Sequence, residues 1–210
     1  MDENYYAYEH FSPSMYILLA KAGFISTTAT LANNKEYLLP EIQFQYAVLY
    51  FENIHISRKV NKLLKKDDYI FVKNKNLNLV IDSINDFHKD SWINEKYKDM
   101  LLEISTNDYD NFELLSFELY DKSDSTLIAA EIGYKIGKVY TSLSGFSKRE
   151  KRYNNYGKLQ LILLSNYLQK SDYKFWNLGH ACLQYKIDLG AIVLKRDEFL
   201  EQWLKYTKLL

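Results

Sequence analysis

Cysteine, proline and glycine are scarce in this chain: one, two and seven in 210 residues. The single cysteine, Cys182, excludes an intrachain disulfide and fits a reducing compartment. It reads as a buried apolar residue. Few breakers predict long regular elements and little disorder. No apolar run approaches the ~20 residues that a membrane span needs. Residues 1–6 are acidic and lack the basic-then-apolar pattern of a signal peptide. A cytoplasmic protein that meets no membrane is expected. A formal net charge of zero excludes a globally basic nucleic-acid binder and leaves room only for local basic patches. There is no metal-ligand spacing, no Gly-x-Ser-x-Gly elbow and no Walker loop.

What is present is an ordinary apolar and charged balance, with an unusual 19 tyrosines. Tyrosine in such numbers implies a large half-buried surface with polar tips. The length suffices for one large domain or two small ones. Ser12-Pro13 opens a first helix that stops at Gly23. Alternation predicts strands over 24–30 and 38–51. Ser57 caps a basic helix, 69–72 is a short strand, and helices follow over 76–87 and 94–104. A meander of strands covers 112–120, 127–134 and 138–143. Then come a basic loop, a helix over 155–169, a strand over 173–178, an irregular or helical stretch over 180–188, a strand over 189–194 and a last helix capped by Asp197. The fold class is α+β, a mixed sheet flanked by helices, with a smaller mixed N-terminal lobe. The boundary is expected near residue 107, giving units 1–107 and 108–210.

The most informative stretch runs from Tyr140 to Lys158. An alternating run ends in Ser144-Gly-Phe-Ser147, passes Lys148, Arg149, Lys151 and Arg152, and enters a helix beyond Asn155. Backbone N–H groups at such a helix start, amid positive charge, suit a phosphate-bearing substrate. A second basic group, His55, Arg58, Lys59, Lys62, Lys65 and Lys66, places Arg58 and Lys62 on one helical face. If the two groups meet in space they form an RNA phosphate track. Trp176-Asn177-Leu-Gly179-His180 ends a strand, where substrate groups are often carried, and the His180 imidazole is a candidate base. Glu118 and Glu131 lie in the meander and read as outward-facing, because an inward carboxylate is costly unless paired. Trp92 reads first as a packing residue.

Taken together these segments resemble the leucyl/phenylalanyl-tRNA–protein transferase family, whose catalytic domain has the GNAT (N-acetyltransferase-like) fold. Phe11-Ser-Pro13 with Ala22-Gly-Phe24 is similar to the family's opening, and His55-Ile-Ser-Arg58 matches its HISR. Ser91-Trp92-Ile93 resembles its TWI, and Phe117-Glu118-Leu119-Tyr120 its VEVW strand. The stretch from Gly133 to Ser147, then Asn155-Tyr-Gly-Lys158, resembles its glycine-rich run and NASK. Leu189-Gly-Ala191 with Arg196-Asp-Glu-Phe-Leu200 resembles its close. The resemblance implies transfer of an amino acid, leucine- or phenylalanine-like, from aminoacyl-tRNA to the N-terminal amine of a protein, marking it for degradation. The ester is already activated, so no metal or organic cofactor is implied.

The resemblance also implies roles. Trp92, Ser144, Phe146, Ser147, Asn155 and Lys158 would bind the aminoacyl end. Arg58, Lys62, Lys148, Arg149 and Arg152 would hold the tRNA backbone. Asn177, His180 and Glu118 would serve the chemistry. Aminoacyl-tRNA and an acceptor protein are the implied partners of a monomer. The chain departs from the pattern in three places. The family's Asp-x-Gln at the end of the strand matching Phe175 to Gly179 is absent, the Glu of its GES motif aligns with Leu143, and its FPW is Phe24-Ile-Ser. Two alternatives stand beside this reading. One is an acyl-CoA-dependent GNAT enzyme, although Arg152 to Lys158 has one glycine at the wrong spacing for it. The other is a non-catalytic protein of the same fold.

Overall fold

The computed structural model describes residues 6–32 and 34–207; the acidic start over 1–5 lies outside them. Four helices begin at side-chain caps, of which Ser12 and Ser57 are expected from the sequence. Ser12 Oγ accepts from the Met15 N–H at the head of α1 (Pro13–Lys21), and Ser57 Oγ from Val60 at the head of α2 (Arg58–Leu64). Asn76 and Asn94 do the same for α3 (Leu77–Phe87) and α4 (Glu95–Ser105). Each cap satisfies an orphan N–H of the first turn, worth about 1 kcal/mol. The remaining helices are α5 (Tyr156–Lys170), α6 (Gln184–Leu189) and α7 (Arg196–Thr207).

The strands are β1 (Ile25–Thr30), β2 (Glu36–Glu41), β3 (Gln45–Leu49), β4 (Tyr69–Lys73), β5 (Glu113–Asp121), β6 (Leu127–Ile136), β7 (Val139–Ser147), β8 (Phe175–His180) and β9 (Ile192–Lys195). β1 and β2 form an antiparallel hairpin of their own. The other seven form one mixed sheet in the order β4-β5-β6-β7-β8-β3-β9, in which β7 and β8 are parallel and the other neighbours antiparallel. One face of the sheet packs on α1, α3, α4 and α7, through residues such as Tyr16, Ile84, Leu101 and Trp203. The other packs on α2, α5 and α6, through Val60, Leu159, Ile162 and Leu189. The expected boundary at residue 107 falls between α4 and β5. Strands β3 and β4, which precede it, lie in the same sheet as the strands that follow.

Several sequence-based expectations need correction. The single strand expected over 38–51 is two, because β2 pairs with β1 while β3 joins the large sheet, so the chain turns between them. β7 does not end at Leu143 but continues to Ser147, past a bulge opposite Ile132 and Gly133. Such a bulge re-aims the residues beyond it. Asp197 does not cap α7. The helix starts at Arg196, and Glu198 Oε2 reaches back to the Lys195 N–H at 2.8 Å. Glu118 and Glu131 are buried, not outward-facing, and Cys182 is exposed, not buried.

Gly190 ends α6 at φ +110°, and a Cβ there would lie 2.0 Å from the Asn53 carbonyl oxygen. Gly190→Ala therefore combines left-handed backbone strain with a backbone clash. The expected cost is about 3 kcal/mol. Thermal unfolding checks it: a melting temperature within about 2 °C of the parent would show that the turn relaxes freely.

Candidate functional site

β7 leads through a short 3-10 turn, Lys151–Tyr153, into α5. Asn155 sits in the left-handed region at φ +70°, immediately before the helix, and its side chain makes no cap. A cavity of about 480 Å³ lies here, lined by Ser147, Lys148, Arg149, Asn155 and Lys158 among others. The helix dipole and the cations give it an anion-attracting character. The cations differ in their engagement. Glu150 holds Arg152 at 3.0 Å and Lys148 at 3.5 Å. The Arg149 guanidinium lies 4.5 Å from the centre of the Phe87 ring.

A second cavity of about 370 Å³ lies beside α2, lined by His55, Ser57, Lys158, Tyr185 and Asp188. α2 packs against α5, and Lys158 lines both cavities. The two basic groups of the sequence are thus neighbours, with Arg58 and Lys62 exposed on the flank.

Between β7 and β8 the sheet opens. The parallel register runs from Val139 opposite Phe175 to Thr141 opposite Asn177, after which β7 continues to Ser147 and β8 to His180. Separating parallel strands beyond their C-terminal ends is a common way to make room for a ligand. Asn177 itself is buried and satisfied: its Nδ2 donates to Thr141 Oγ1 at 3.3 Å and its Oδ1 accepts from the Gly179 N–H at 2.9 Å. It braces the last paired residues. His180 is exposed, its Nε2 lying 3.2 Å from Glu41 Oε1 and its Nδ1 3.6 Å from Cys182 Sγ.

Two residues not expected at the site lie beside this opening. Glu131 on β6 is buried, and Ser142 Oγ donates to its Oε1 at 2.5 Å. The Trp176 indole N–H donates in turn to Ser142 Oγ at 2.7 Å. Burial pushes the Glu131 carboxyl up to about 7, against the opposing pull of Ser142 and Lys186. Lys186 on α6 is buried too. Its Nζ donates to the Leu178 carbonyl at 2.5 Å and the His180 carbonyl at 2.7 Å. Burial pulls this amine down to about 8, although Glu131 opposes the fall. The available signal for Glu131 was a carboxylate inside the apolar run Leu127-Ile-Ala-Ala-Glu-Ile132. Nothing in the sequence marked Lys186.

The remaining expected residues lie elsewhere. Phe146 packs into the core on the α3 face and lies 6.4 Å from Phe87. Ser144 pairs with Ile132 two residues before it and shares that face, whereas Ser147 lies on the α5 face beside Gly157. Ser144 and Phe146 are therefore separated from Asn155 and Lys158 by the sheet. Trp92 packs edge-on against Tyr97, its ring centre 5.0 Å away, and its carbonyl accepts from Thr28. Glu118 is saturated: Oε1 accepts from the N–H groups of Lys75 and Asn76 and from Ser116 Oγ, and Oε2 from the Tyr120 hydroxyl at 2.6 Å. It pins the loop that starts α3. Among the described residues no cluster of three or more His, Cys, Asp or Glu suited to a metal is found, and no helix is long and apolar enough to cross a membrane.

The model of the leucyl/phenylalanyl-tRNA protein transferase family matches residues 48–204. A leucyl/phenylalanyl-tRNA–protein transferase of Shewanella halifaxensis is 29% identical over 157 residues, covering 73% of this chain and 62% of that protein. Those of Dinoroseobacter shibae (23% over 158 residues, covering 75% and 66%) and Flavobacterium johnsoniae (27% over 160 residues, covering 73% and 69%) are similar to it as well. The match thus spans less than two thirds of the first two relatives. Among solved structures, L-PGS from Bacillus licheniformis superposes with a TM-score of 0.48 at 11% identity, covering 97% of this chain and 71% of that one. A GCN5-related glucosamine N-acetyltransferase region of a fungal GH3 β-N-acetylglucosaminidase gives 0.49 at 9%, covering 87% and 22%. Because the family model covers most of the chain, from the end of β3 into α7, the protein belongs to the leucyl/phenylalanyl-tRNA protein transferase family.

Proposed function

We propose that this protein transfers a leucine- or phenylalanine-like amino acid from aminoacyl-tRNA to the N-terminal amine of an acceptor protein. The observation that carries the reading is the meeting of the two basic groups at Lys158, beside the opening between β7 and β8, in a chain of this family. Lys158, Asn155 and Arg149 hold phosphates of the tRNA acceptor end, and Arg58, Lys62, Lys148 and Arg152 extend the track. The opening receives the ester. His180, exposed beside Glu41, meets the incoming amine. Asn177 and Glu118 are assigned bracing roles, and Trp92, Ser144 and Phe146 shape the α3 face. Aminolysis of an ester needs no cofactor: holding both reactants in line supplies much of the rate, and donors around the carbonyl oxygen supply more.

Labelled leucyl- and phenylalanyl-tRNA, incubated with peptides of varied N-terminal residue, test the reading. Transfer to at least one peptide is expected. Confirmed tRNA binding with no transfer in any pairing would sink it. The phosphate track has its own test. Replacing Arg58, Lys62 and Lys158 together by alanine should lower the slope of log affinity against log salt by about 2 to 3, roughly one per lost contact. An unchanged slope would remove these three from the interface.

A further inference from the structure

Among the described residues three ionisable side chains of the charged types are buried: Glu118, Glu131 and Lys186. Glu118 has its bonding capacity filled by four donors, two of them backbone, and faces α3. Glu131 differs. It lies on the α5 face, opposite Gly145, where the cross-strand partner has no side chain to cover it. Its strong bond comes from Ser142, which stands just past the last residue of β7 paired with β8. Ser142 is only half-buried, so its hydroxyl is the link between the opening and the carboxyl beneath. Trp176 fixes that hydroxyl by donating to it, which leaves the Ser142 proton directed at Glu131. A proton path thus leads from the opening through the Ser142 hydroxyl, by one short bond, to the carboxyl inside the sheet.

The surroundings suit a proton acceptor. The groups facing Glu131 are Tyr140 and Ser142 from β7 and Tyr185 and Lys186 from α6. Tyr140 is fully buried, and burial together with Glu131 drives its phenol far above its usual range. Tyr185 is pushed up to about 12. Neither competes for protons near neutrality, and Lys186 supplies positive charge that restrains the rise of the carboxyl. A carboxyl held near 7 is matched to an amine that must lose a proton at neutral pH.

Resting on the transferase reading, we infer that Glu131, reached through the Ser142 hydroxyl, is the terminal proton acceptor for the attacking amine, supplying on β6 the carboxylate that β8 lacks. The amine lone pair attacks the ester carbonyl carbon and the C–N bond forms. One amine proton passes to Ser142 Oγ while the Ser142 proton passes to Glu131. The C–O bond to the tRNA 3′ oxygen then breaks, and the proton returns along the same path to that oxygen. Amine and ester become amide and free tRNA 3′-hydroxyl, with no other reactant needed. Lys186 acts as a positioning residue, tying the carbonyls of Leu178 and His180 at the edge of the opening.

The test is the pH profile of single-turnover transfer for the parent, Glu131→Gln and Ser142→Ala, using acceptor peptides whose amines differ in pKa. The parent rate should rise with pH through a limb near 7 that stays in place when the acceptor changes. Glu131→Gln should lose about 10²- to 10⁴-fold in rate, lose that limb, and bind tRNA unchanged. Ser142→Ala should lose about 10²-fold and decides the matter should the glutamine variant fail to fold. A Glu131→Gln rate within tenfold of the parent, or a retained limb, overturns the inference and leaves the transferase reading intact. A parent that binds tRNA and transfers nothing overturns both.

Discussion

Glu118→Ala is expected to unfold at far lower denaturant than the parent, with a loss of about 4 kcal/mol. Removing the carboxylate strands the Lys75 and Asn76 N–H groups, the Ser116 hydroxyl and the Tyr120 hydroxyl, all of which now end on it. A donor left unsatisfied in a buried site costs about 1–3 kcal/mol. The two backbone donors lie at the loop edge, where water can replace the carboxylate in part, which holds the total nearer four than eight. The side chain also fixes where α3 begins, and α3 contributes Val80, Ile81 and Ile84 to the core. In a protein of this size the loss corresponds to a melting point lower by about 10 °C. Urea unfolding followed by circular dichroism measures it. The surviving folded fraction should transfer at the parent rate, since Glu118 lies on the α3 face away from Glu131. A folded Glu118→Ala without activity would return Glu118 to the chemistry.

Glu131→Gln is expected to do the reverse: stabilise the fold near neutral pH while removing the function. Burial holds the Glu131 carboxyl up to about 7 in the folded protein, against about 4.3 in an unfolded chain. Between those values the folded protein keeps a proton that the unfolded chain has released. Stability therefore falls as pH rises from about 4.3 to about 7, and stays reduced above. The gap corresponds to roughly 4 kcal/mol at 1.36 kcal/mol per unit. The glutamine avoids this cost, but it leaves the Lys186 ammonium without its counter-charge, so a net gain of about 2 kcal/mol is expected near neutrality. Lys186 acts in a separate window. Its amine is pulled down to about 8 when folded, against about 10.4 unfolded, so the unfolded chain binds more protons between these values and stability rises with pH there. Urea midpoints taken near pH 5, 7 and 9 separate the two contributions. A glutamine variant whose midpoints track the parent at every pH would show that Glu131 is not held protonated by the fold. Gain of stability with loss of function is the usual mark of a group kept for chemistry.

The caps at Ser12 and Ser57 were legible because each depends on one side chain bonding to an N–H three residues on, a relation internal to the sequence. The meander of β5, β6 and β7, the crossover through α5 and the cluster at Lys148 to Lys158 were legible for similar reasons: period, turn chemistry and local charge. The family resemblance drew on the same stretches. Reach across the sheet was not legible. The face on which a residue of β7 lies depends on a bulge set by pairing with β6, so Ser144 and Phe146 were grouped with Asn155 and Lys158 although the sheet divides them. Whether the carboxylates of β5 and β6 point inward depends on partners far along the chain, such as Lys75 and Asn76 for Glu118 and Lys186 for Glu131. The sequence by itself determined most of the helices, the meander, the basic groups and the family. Only the tertiary structure packed α2, which carries Arg58 and Lys62, against α5, which carries Lys158, opened β7 from β8, and placed Glu131 under Ser142, because burial and charge pairing are properties of neighbours in space.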